Sequence, residues 1–274
     1  MKRIVFVGGG NMASAVISGL LKQGHAAHAL HVVDPGELQR EKLRGEFGVS
    51  SQAVADSAVT GADLVVWAVK PQTFVQAALE CAPWVGAALH LSVMAGIRIA
   101  AISQALRSER VVRAMPNTPA LIGQGISGMF APPAVSAAER SFTEQVLRAT
   151  GSTLWVDTEA DLDAVTALSG SGPAYVFYFL EAMLQAAAEM GLSPEVGRRL
   201  ALATFSGATA LSQASPEAPA TLRERVTSKG GTTHAALSCL ETHGVKAAFV
   251  EALHAARRRA GELGDQFGHA SPPV

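Results

Sequence analysis

The sequence of 274 residues has few cysteines, little charge and no long purely apolar run. Its two cysteines, Cys81 and Cys239, lie far apart without a further Cys or His at metal-ligand spacing, which excludes a disulfide framework and a zinc site. Acidic and basic residues nearly balance, and the only dense basic stretch is 257–259, so nothing predicts binding to nucleic-acid phosphates. Because no stretch of about 18 purely apolar residues predicts a membrane span, we expect a soluble protein, and its few cysteines fit a reducing cytoplasm.

Apolar residues make up 49% of the chain, and at about 150 residues per domain its length predicts two domains. In the first half, short β-branched runs alternate with helical stretches. The predicted strands are 4–7, 30–33, 64–69, 90–93, 111–113 and 153–156. Apolar strands separated by helices are typical of a parallel sheet covered on both faces. Residues 1–160 are therefore predicted to form a doubly wound α/β domain.

The strand pattern ends near residue 160, and segments rich in Ala, Leu and Glu follow. The predicted helices are 173–190, 194–213, 217–227, 232–242 and 245–263. Residues 161–274 are therefore predicted to form an all-helical domain. Its segment 175–180 is apolar on every side, so a helix there has to be enclosed, and a subunit interface is the expected place.

A glycine-rich turn follows the first predicted strand and opens the first predicted helix. It reads Gly8-Gly9-Gly10-Asn11-Met12-Ala13 and has the Gly-x-Gly-x-x-Ala spacing of a dinucleotide-binding fingerprint. Gly8 permits the tight turn, Gly10 lets a pyrophosphate approach the backbone, and Ala13 keeps the helix close to the sheet. The alternative is a structural turn in an α/β domain that binds another ligand.

Further candidate cofactor residues end two other predicted strands. Asp34 closes the second strand, where a carboxylate accepts hydrogen bonds from the adenosine ribose and repels a 2′-phosphate, which favours NADH. An exposed Asp in an ordinary turn is the alternative. The segment Ala68-Val69-Lys70-Pro71 lies at the strand edge where parallel sheets bind ligands. Lys70 faces either the ligand or solvent.

A second loop of small and hydroxyl residues precedes a predicted helix in the second half. It reads Ser228-Lys229-Gly230-Gly231-Thr232-Thr233, and free N–H groups at a helix start suit a carboxylate. The alternative is a helix–helix turn capped by Thr. The sequence contains no nucleophile elbow, no zinc-protease motif and no P-loop. Glycine-rich segments and hydroxyl residues dominate instead, which suits chemistry performed by a bound cofactor.

Taken together, these motifs resemble the Δ1-pyrroline-5-carboxylate reductase family over nearly the whole chain. The stretches that carry the resemblance are 8–13, 68–72, 93–97, 113–119, 168–180 and 222–233, of which the last is the most specific. The resemblance implies an N-terminal Rossmann domain with a C-terminal helical dimerisation domain. It also implies NAD(P)H as cofactor, 1-pyrroline-5-carboxylate as substrate, and a homodimer or higher homo-oligomer whose substrate pocket is completed across the dimer.

The resemblance further implies roles for individual residues. Backbone groups around Gly230, Gly231 and Thr232, in the loop that begins at Ser228, hold the substrate carboxylate. The Thr233 hydroxyl meets the ring nitrogen as the catalytic group, while Gly8, Gly9, Gly10, Asn11, Met12, Asp34 and the segment Ala68-Val69-Lys70-Pro71 bind the cofactor.

Two positions depart from the family pattern, and two other functions stay open. Lys229 stands where proline is frequent, and Asp34 stands where a small hydroxyl residue often accompanies NADPH use. A two-domain hydroxyacid dehydrogenase shares the layout, but it uses a lysine after the glycine-rich interdomain segment, and no lysine occurs between Lys70 and Lys229. A dinucleotide-sensing regulator would explain the fingerprint but not the Thr-rich loop.

Overall fold

The computed structural model describes residues 2–268, which contain one eight-stranded sheet with strand order β3-β2-β1-β4-β5-β6-β7-β8. The strands are β1 (Ile4–Val7), β2 (Leu30–Val33), β3 (Ser50–Gln52), β4 (Leu64–Trp67), β5 (Leu89–Ser92), β6 (Val111–Met115), β7 (Gly125–Phe130) and β8 (Gly151–Trp155). The predicted doubly wound α/β fold is confirmed.

The last two strands run against the other six, which corrects the prediction of a wholly parallel sheet. β7 pairs antiparallel with β6 because the short connection 116–124 leaves no room for a crossover helix. β8 then pairs parallel with β7. The prediction missed β3, which is short and polar, and β7, in which two glycines interrupt the apolar run.

Five helices cover the two faces of the sheet. They are α1 (Asn11–Lys22), α2 (Glu37–Phe47), α3 (Phe74–Val85), α4 (Ile99–Leu106) and α5 (Ala137–Arg148). Side chains of β1 alternate between the faces: Ile4 and Phe6 pack with α1, α2 and α5, whereas Val5 and Val7 pack with α3 and α4. Two cores, one on each face, therefore hold the strand ends in fixed positions.

The remaining helices follow the sheet in sequence. They are α6 (Asp161–Val165), α7 (Gly172–Glu189), α8 (Pro194–Ala214), α9 (Pro219–Arg225), α10 (Thr232–Thr242) and α11 (Val245–Gly268), with a π-helical turn (Thr166–Gly170) between α6 and α7. They confirm the predicted helical C-terminal region. By contacts, Ala174–His254 forms one compact unit, while described residues before and after it group with the sheet. A division at residue 160 stays a prediction, and 269–274 lie outside the described residues.

Within the unit Ala174–His254, α7 leaves large apolar side chains uncovered. Tyr175 and Phe179 pack edge-on against Phe249, but Phe177 is 58% exposed and Tyr178 is 70% exposed. No helix of the described residues is long and apolar enough to cross a membrane. Because neighbouring exposed apolar side chains mark interaction sites, we expect a second protein surface to cover this face of α7.

We expect Phe177→Arg to shift the protein from dimer to monomer in sedimentation at micromolar concentration. Each buried Phe contributes roughly 1.5–3 kcal/mol, and a twofold interface loses two of them, so the dimer should weaken about 100-fold or more. The matched control is Leu38→Arg, because Leu38 is 82% exposed on α2 and its substitution should leave the sedimentation unchanged. A fully active wild-type monomer would contradict the prediction.

Candidate active site

The carboxyl ends of β1, β2 and β4 meet at one edge of the sheet. The Gly8 N–H donates to the Val33 carbonyl (2.8 Å), and the Ala68 N–H donates to the Val7 carbonyl (2.8 Å). The three loops after these strands are thereby joined, and each of them carries predicted cofactor residues. The edge is the place where doubly wound sheets bind ligands.

Gly8 occupies a position that no other residue fits. Its φ of 92° lies in the left-handed region, and a Cβ there would stand 2.7 Å from the Ala68 carbonyl oxygen and 3.0 Å from Val69 Cγ1. The backbones after β1 and β4 thus approach more closely than any side chain allows. This contact brings Ala68 and Val69 against the glycine turn.

Helix α1 begins beside this turn without a side-chain cap. Gly10 is its N-cap residue, and the space that a Cβ of Gly10 would fill has no atom within 4 Å. Asn11, which is exposed, and Met12, which is half-buried, form the first turn. Open space in front of uncapped N–H groups fits the pyrophosphate of a dinucleotide, whose negative charge the helix start stabilises.

Asp34 closes the other side of the glycine turn. Its Oδ2 accepts the Gly9 N–H (2.7 Å), and its Oδ1 accepts the Gly36 N–H (2.8 Å). Gln39 donates to the Gly9 carbonyl, a contact that sequence reasoning missed. Arg40 donates through one guanidinium nitrogen to the backbone carbonyl of Asp34 (2.8 Å), which places a cation at the end of β2.

Lys70 and Pro71 follow β4 and lie at the same edge. Pro71 starts a short 3₁₀ turn, and the Lys70 carbonyl accepts hydrogen bonds from the N–H and the hydroxyl of Thr73 (both 3.0 Å). The Lys70 side chain is exposed. These contacts fix the backbone of the loop and leave the ammonium group in solvent.

The end of β6 adds residues to this edge that the fingerprint did not include. Asn117 Oδ1 accepts the Ile126 N–H (3.0 Å) and so ties the loop after β6 to β7. A Cβ on Gly170 would stand 2.5 Å from the Met115 methyl carbon, so the π-helical turn packs directly on the end of β6. π-Helical turns are frequent at functional sites.

Two ion pairs below this edge also escaped sequence reasoning. Arg113, only 5% exposed, donates to Glu159 Oε1 (2.5 Å), and Arg98 binds both carboxylate oxygens of Asp163 (3.0 and 2.8 Å). Asp163 raises the pKa of Arg98, whereas burial lowers the pKa of Arg113 and Glu159 opposes that shift. The position of Arg113 inside a predicted apolar strand was the signal that could have revealed its ion pair, because a buried charge needs a partner.

The predicted substrate loop lies in the unit Ala174–His254 and precedes α10. Gly230 has a φ of 77°, and the Gly231 N–H donates to the Ser228 carbonyl (3.0 Å) to close a turn. Gly231 is the N-cap of α10 and has no side-chain cap, so the N–H groups of Thr232 and Thr233 have no partner among the described residues. Ser228, Gly230 and Thr232 are exposed, and Thr233 is half-buried.

Comparison with known families finds two matching segments of the chain. Residues 159–263 match the family described as pyrroline-5-carboxylate reductase dimerisation. Residues 3–96 match the family described as NADP oxidoreductase, coenzyme F420-dependent. The two matches cover the helical region and the strands that carry the glycine turn.

Individual relatives match over nearly their whole length. The pyrroline-5-carboxylate reductase of Pseudomonas aeruginosa is 46% identical over 97% of this chain and 98% of its own. The solved structure of the reductase from Coxiella burnetii is 34% identical, with a TM-score of 0.88 over 96% of this chain and 98% of its own. That of the Plasmodium falciparum reductase, solved with NADP bound, is 26% identical, with a TM-score of 0.87 over 96% and 98%.

We expect Gly8→Ala to weaken NADH binding about tenfold or more, because the new Cβ forces the loops after β1 and β4 apart. Tryptophan fluorescence titration measures the binding. Gly24→Ala is the control: its φ of 87° carries the same strain, roughly 1–2 kcal/mol, but nothing lies within 4 Å of the new Cβ. Equal binding by the two variants would contradict a role for the close approach.

Proposed function

The chain belongs to the pyrroline-5-carboxylate reductase family, and on that basis we propose that it reduces 1-pyrroline-5-carboxylate to L-proline with NAD(P)H, the last step of proline biosynthesis. The observation that carries the proposal is the match of 97% of the chain, at 46% identity, to the Pseudomonas aeruginosa reductase. The open, uncapped start of α1 beside Gly8 supports it, since a dinucleotide fits there.

In this proposal the residues at the sheet edge hold the cofactor. Gly8, Gly9, Gly10, Asn11 and Met12 receive the pyrophosphate at the start of α1, and Asp34 receives the adenosine ribose. The segment Ala68-Val69-Lys70-Pro71 borders the same cofactor on the β4 side. The reduced nicotinamide supplies the hydride that the imine carbon accepts.

The loop 228–233 binds the substrate in this proposal. Because the Gly231 N–H closes a turn, it is not free for a carboxylate, whereas the N–H groups of Thr232 and Thr233 at the start of α10 have no partner among the described residues and would hold it. Ser228, Gly230 and Gly231 shape the turn that presents them. Lys229 adds a positive charge beside the anionic substrate.

Thr233 is the proposed catalytic residue. Its hydroxyl contacts the ring nitrogen and orients the imine while hydride adds to carbon and a proton is kept on nitrogen. A protonated C=N bond is already electrophilic, so the protein mainly has to align the reacting carbons. This explains why the motifs include no His or Asp dyad.

The reaction needs small molecules and a second copy of the chain, and it needs neither a nucleic acid nor a membrane. The match to a dimerisation family over 159–263 supports the homodimer or higher homo-oligomer. We place the enzyme in the cytoplasm, where reduced dinucleotides are supplied. Both cysteines are free thiols, which suits a reducing compartment.

The proposed function is tested by following NAD(P)H absorbance with 1-pyrroline-5-carboxylate as substrate. Oxidation of the cofactor and formation of proline are the expected results. Turnover of a hydroxyacid instead would indicate the related dehydrogenases, and cofactor binding without any turnover would indicate a sensing protein.

We expect Thr233→Ala to lower kcat while NADH binding and helical content stay nearly unchanged. Losing one neutral hydrogen bond costs ~0.5–1.5 kcal/mol, so the decrease is roughly 2- to 13-fold, and larger if the imine loses its orientation. Thr233→Ser is the control, since it keeps the hydroxyl. Unchanged kinetics of the Ala variant would remove Thr233 from the mechanism.

We expect kcat/KM with NADH to equal or exceed that with NADPH. At ~4 Å and an effective dielectric of about 20, a carboxylate and one phosphate charge repel by roughly 4 kcal/mol, and even a third of that is tenfold. Asp34→Asn removes the charge but keeps an oxygen acceptor, so it should raise relative use of NADPH about tenfold.

Asp34→Ser is the second variant. It removes the charge as well, and its shorter side chain no longer accepts the N–H groups of Gly9 and Gly36. Arg40 opposes the repulsion between Asp34 and the 2′-phosphate of NADPH, because its positively charged guanidinium lies at the end of β2. A strong preference for NADPH in the wild type, unaltered in both variants, would show that Asp34 does not face the ribose.

A further inference from the structure

The sheet order predicts where each half of the cofactor lies. The glycine turn follows β1, and Asp34 follows β2 on one side of it. If the adenosine half lies toward β2, the nicotinamide half extends the other way, across the ends of β4, β5 and β6. The end of β6 is Met115, against which the π-helical turn packs through Gly170.

A carboxylate below this point ties three elements together. Glu159 Oε1 accepts from the guanidinium of Arg113 on β6 (2.5 Å) and from the N–H of Ile99 (2.7 Å), the first residue of α4. Arg113 and Met115 point to the same face of β6 and lie roughly 7 Å apart along it. Arg113, which contacts Glu159, is therefore two residues before Met115, which contacts Gly170, on the same face of β6.

The segment that follows Glu159 is held close to the sheet. A Cβ on Gly128 of β7 would stand 2.7 Å from Val165 Cγ1, so α6 packs directly on the strand. The Ser171 N–H donates to the Thr166 carbonyl (2.8 Å) and closes the π-helical turn, which continues from α6. A shift of Glu159 would consequently move the turn with α6.

We propose that Glu159 is a positioning residue for hydride transfer, an inference that rests on the proposed function. Through Arg113 and the Ile99 N–H, it sets where the π-helical turn and Met115 border the nicotinamide half of the cofactor. The Arg113–Glu159 pair, in which Arg113 is only 5% exposed, joins β6, α4 and the segment before α6. In some proteins such pairs are retained because they specify one arrangement rather than because they add stability, and we assign that role to this pair. Alignment of the reacting carbons depends on such positions, and a displacement of 1 Å costs about 100-fold in rate.

The test compares Glu159→Gln and Glu159→Asp with the control Glu139→Gln. Glu139 likewise accepts from an arginine, Arg110 Nε (2.6 Å), and from a backbone N–H, that of Ser136 (2.8 Å). It differs in place, because Arg110 precedes β6 and Glu139 thus lies at the opposite edge of the sheet. Glu139→Gln and Glu159→Gln both weaken a contact with an arginine and a contact with a backbone N–H, and Glu139→Gln also weakens the contact with the Ser136 hydroxyl (2.7 Å).

We expect both Glu159 variants to lower kcat about 10- to 100-fold and to keep the Kd for NADH within about threefold, because the phosphate and adenosine contacts are untouched. With C4-deuterated NADH, the isotope effect on kcat should rise as hydride transfer becomes rate-limiting. Glu139→Gln should keep kcat within about twofold at a comparable loss in Tm. Glu159→Asp keeps the charge and serves if Glu159→Gln does not fold.

Two results would overturn the inference. One is an unchanged kcat in the Glu159 variants, and the other is a decrease of kcat in Glu139→Gln as large as in the Glu159 variants at the same decrease of Tm. A wild type without activity on 1-pyrroline-5-carboxylate would refute the proposed function instead. In that case the fluorescence emission of bound NADH still tests the positioning role of Glu159, because it reports the surroundings of the nicotinamide without turnover. The emission should differ between Glu159→Gln and wild type, and identical emission would overturn the positioning role.

Discussion

The close approach of the backbones after β1 and β4 is the constraint on which the rest of the site depends. Gly8 has no room for a side chain against the Ala68 carbonyl, and its positive φ turns the chain directly into α1. The uncapped start of α1 and the open space at Gly10 follow from that turn. Asp34 then holds the turn from the other side through the Gly9 N–H.

The two parts of the chain place apolar and charged residues in opposite ways. Around the sheet, apolar strands are buried, and the charges inside, such as Arg113, are paired. In the unit Ala174–His254, large apolar side chains such as Phe177 and Tyr178 face outward. The paired charge of Arg113 holds the elements that it joins in position, and the exposed apolar surface is suited to association with a second chain. Both features therefore concern function more than the stability of the single chain.

Local sequence patterns predicted most of the fold and the cofactor half of the site. The strands β1, β2, β4 and β5 are buried along their whole length, and β1 and β4 are uninterrupted apolar runs with an obvious end, while β2 and β5 keep mostly apolar residues around a buried histidine. The strands β3 and β7 were missed because polar residues and glycines carry no such run. The reversed direction of β7 depends on the short loop before it, which a strand pattern does not encode.

The sequence by itself determined the glycine turn, the apolar strands, the helical second half and the Thr-rich loop, because each depends on residues adjacent in the chain. Tertiary structure alone decided that Glu159 pairs with Arg113, that Asp34 accepts the Gly9 N–H, and that Gly170 packs on Met115. These partners lie far apart in sequence, and any of several charged or small residues would satisfy the local pattern. Only the strand order and the packing of α6 on β7 select which of them meet.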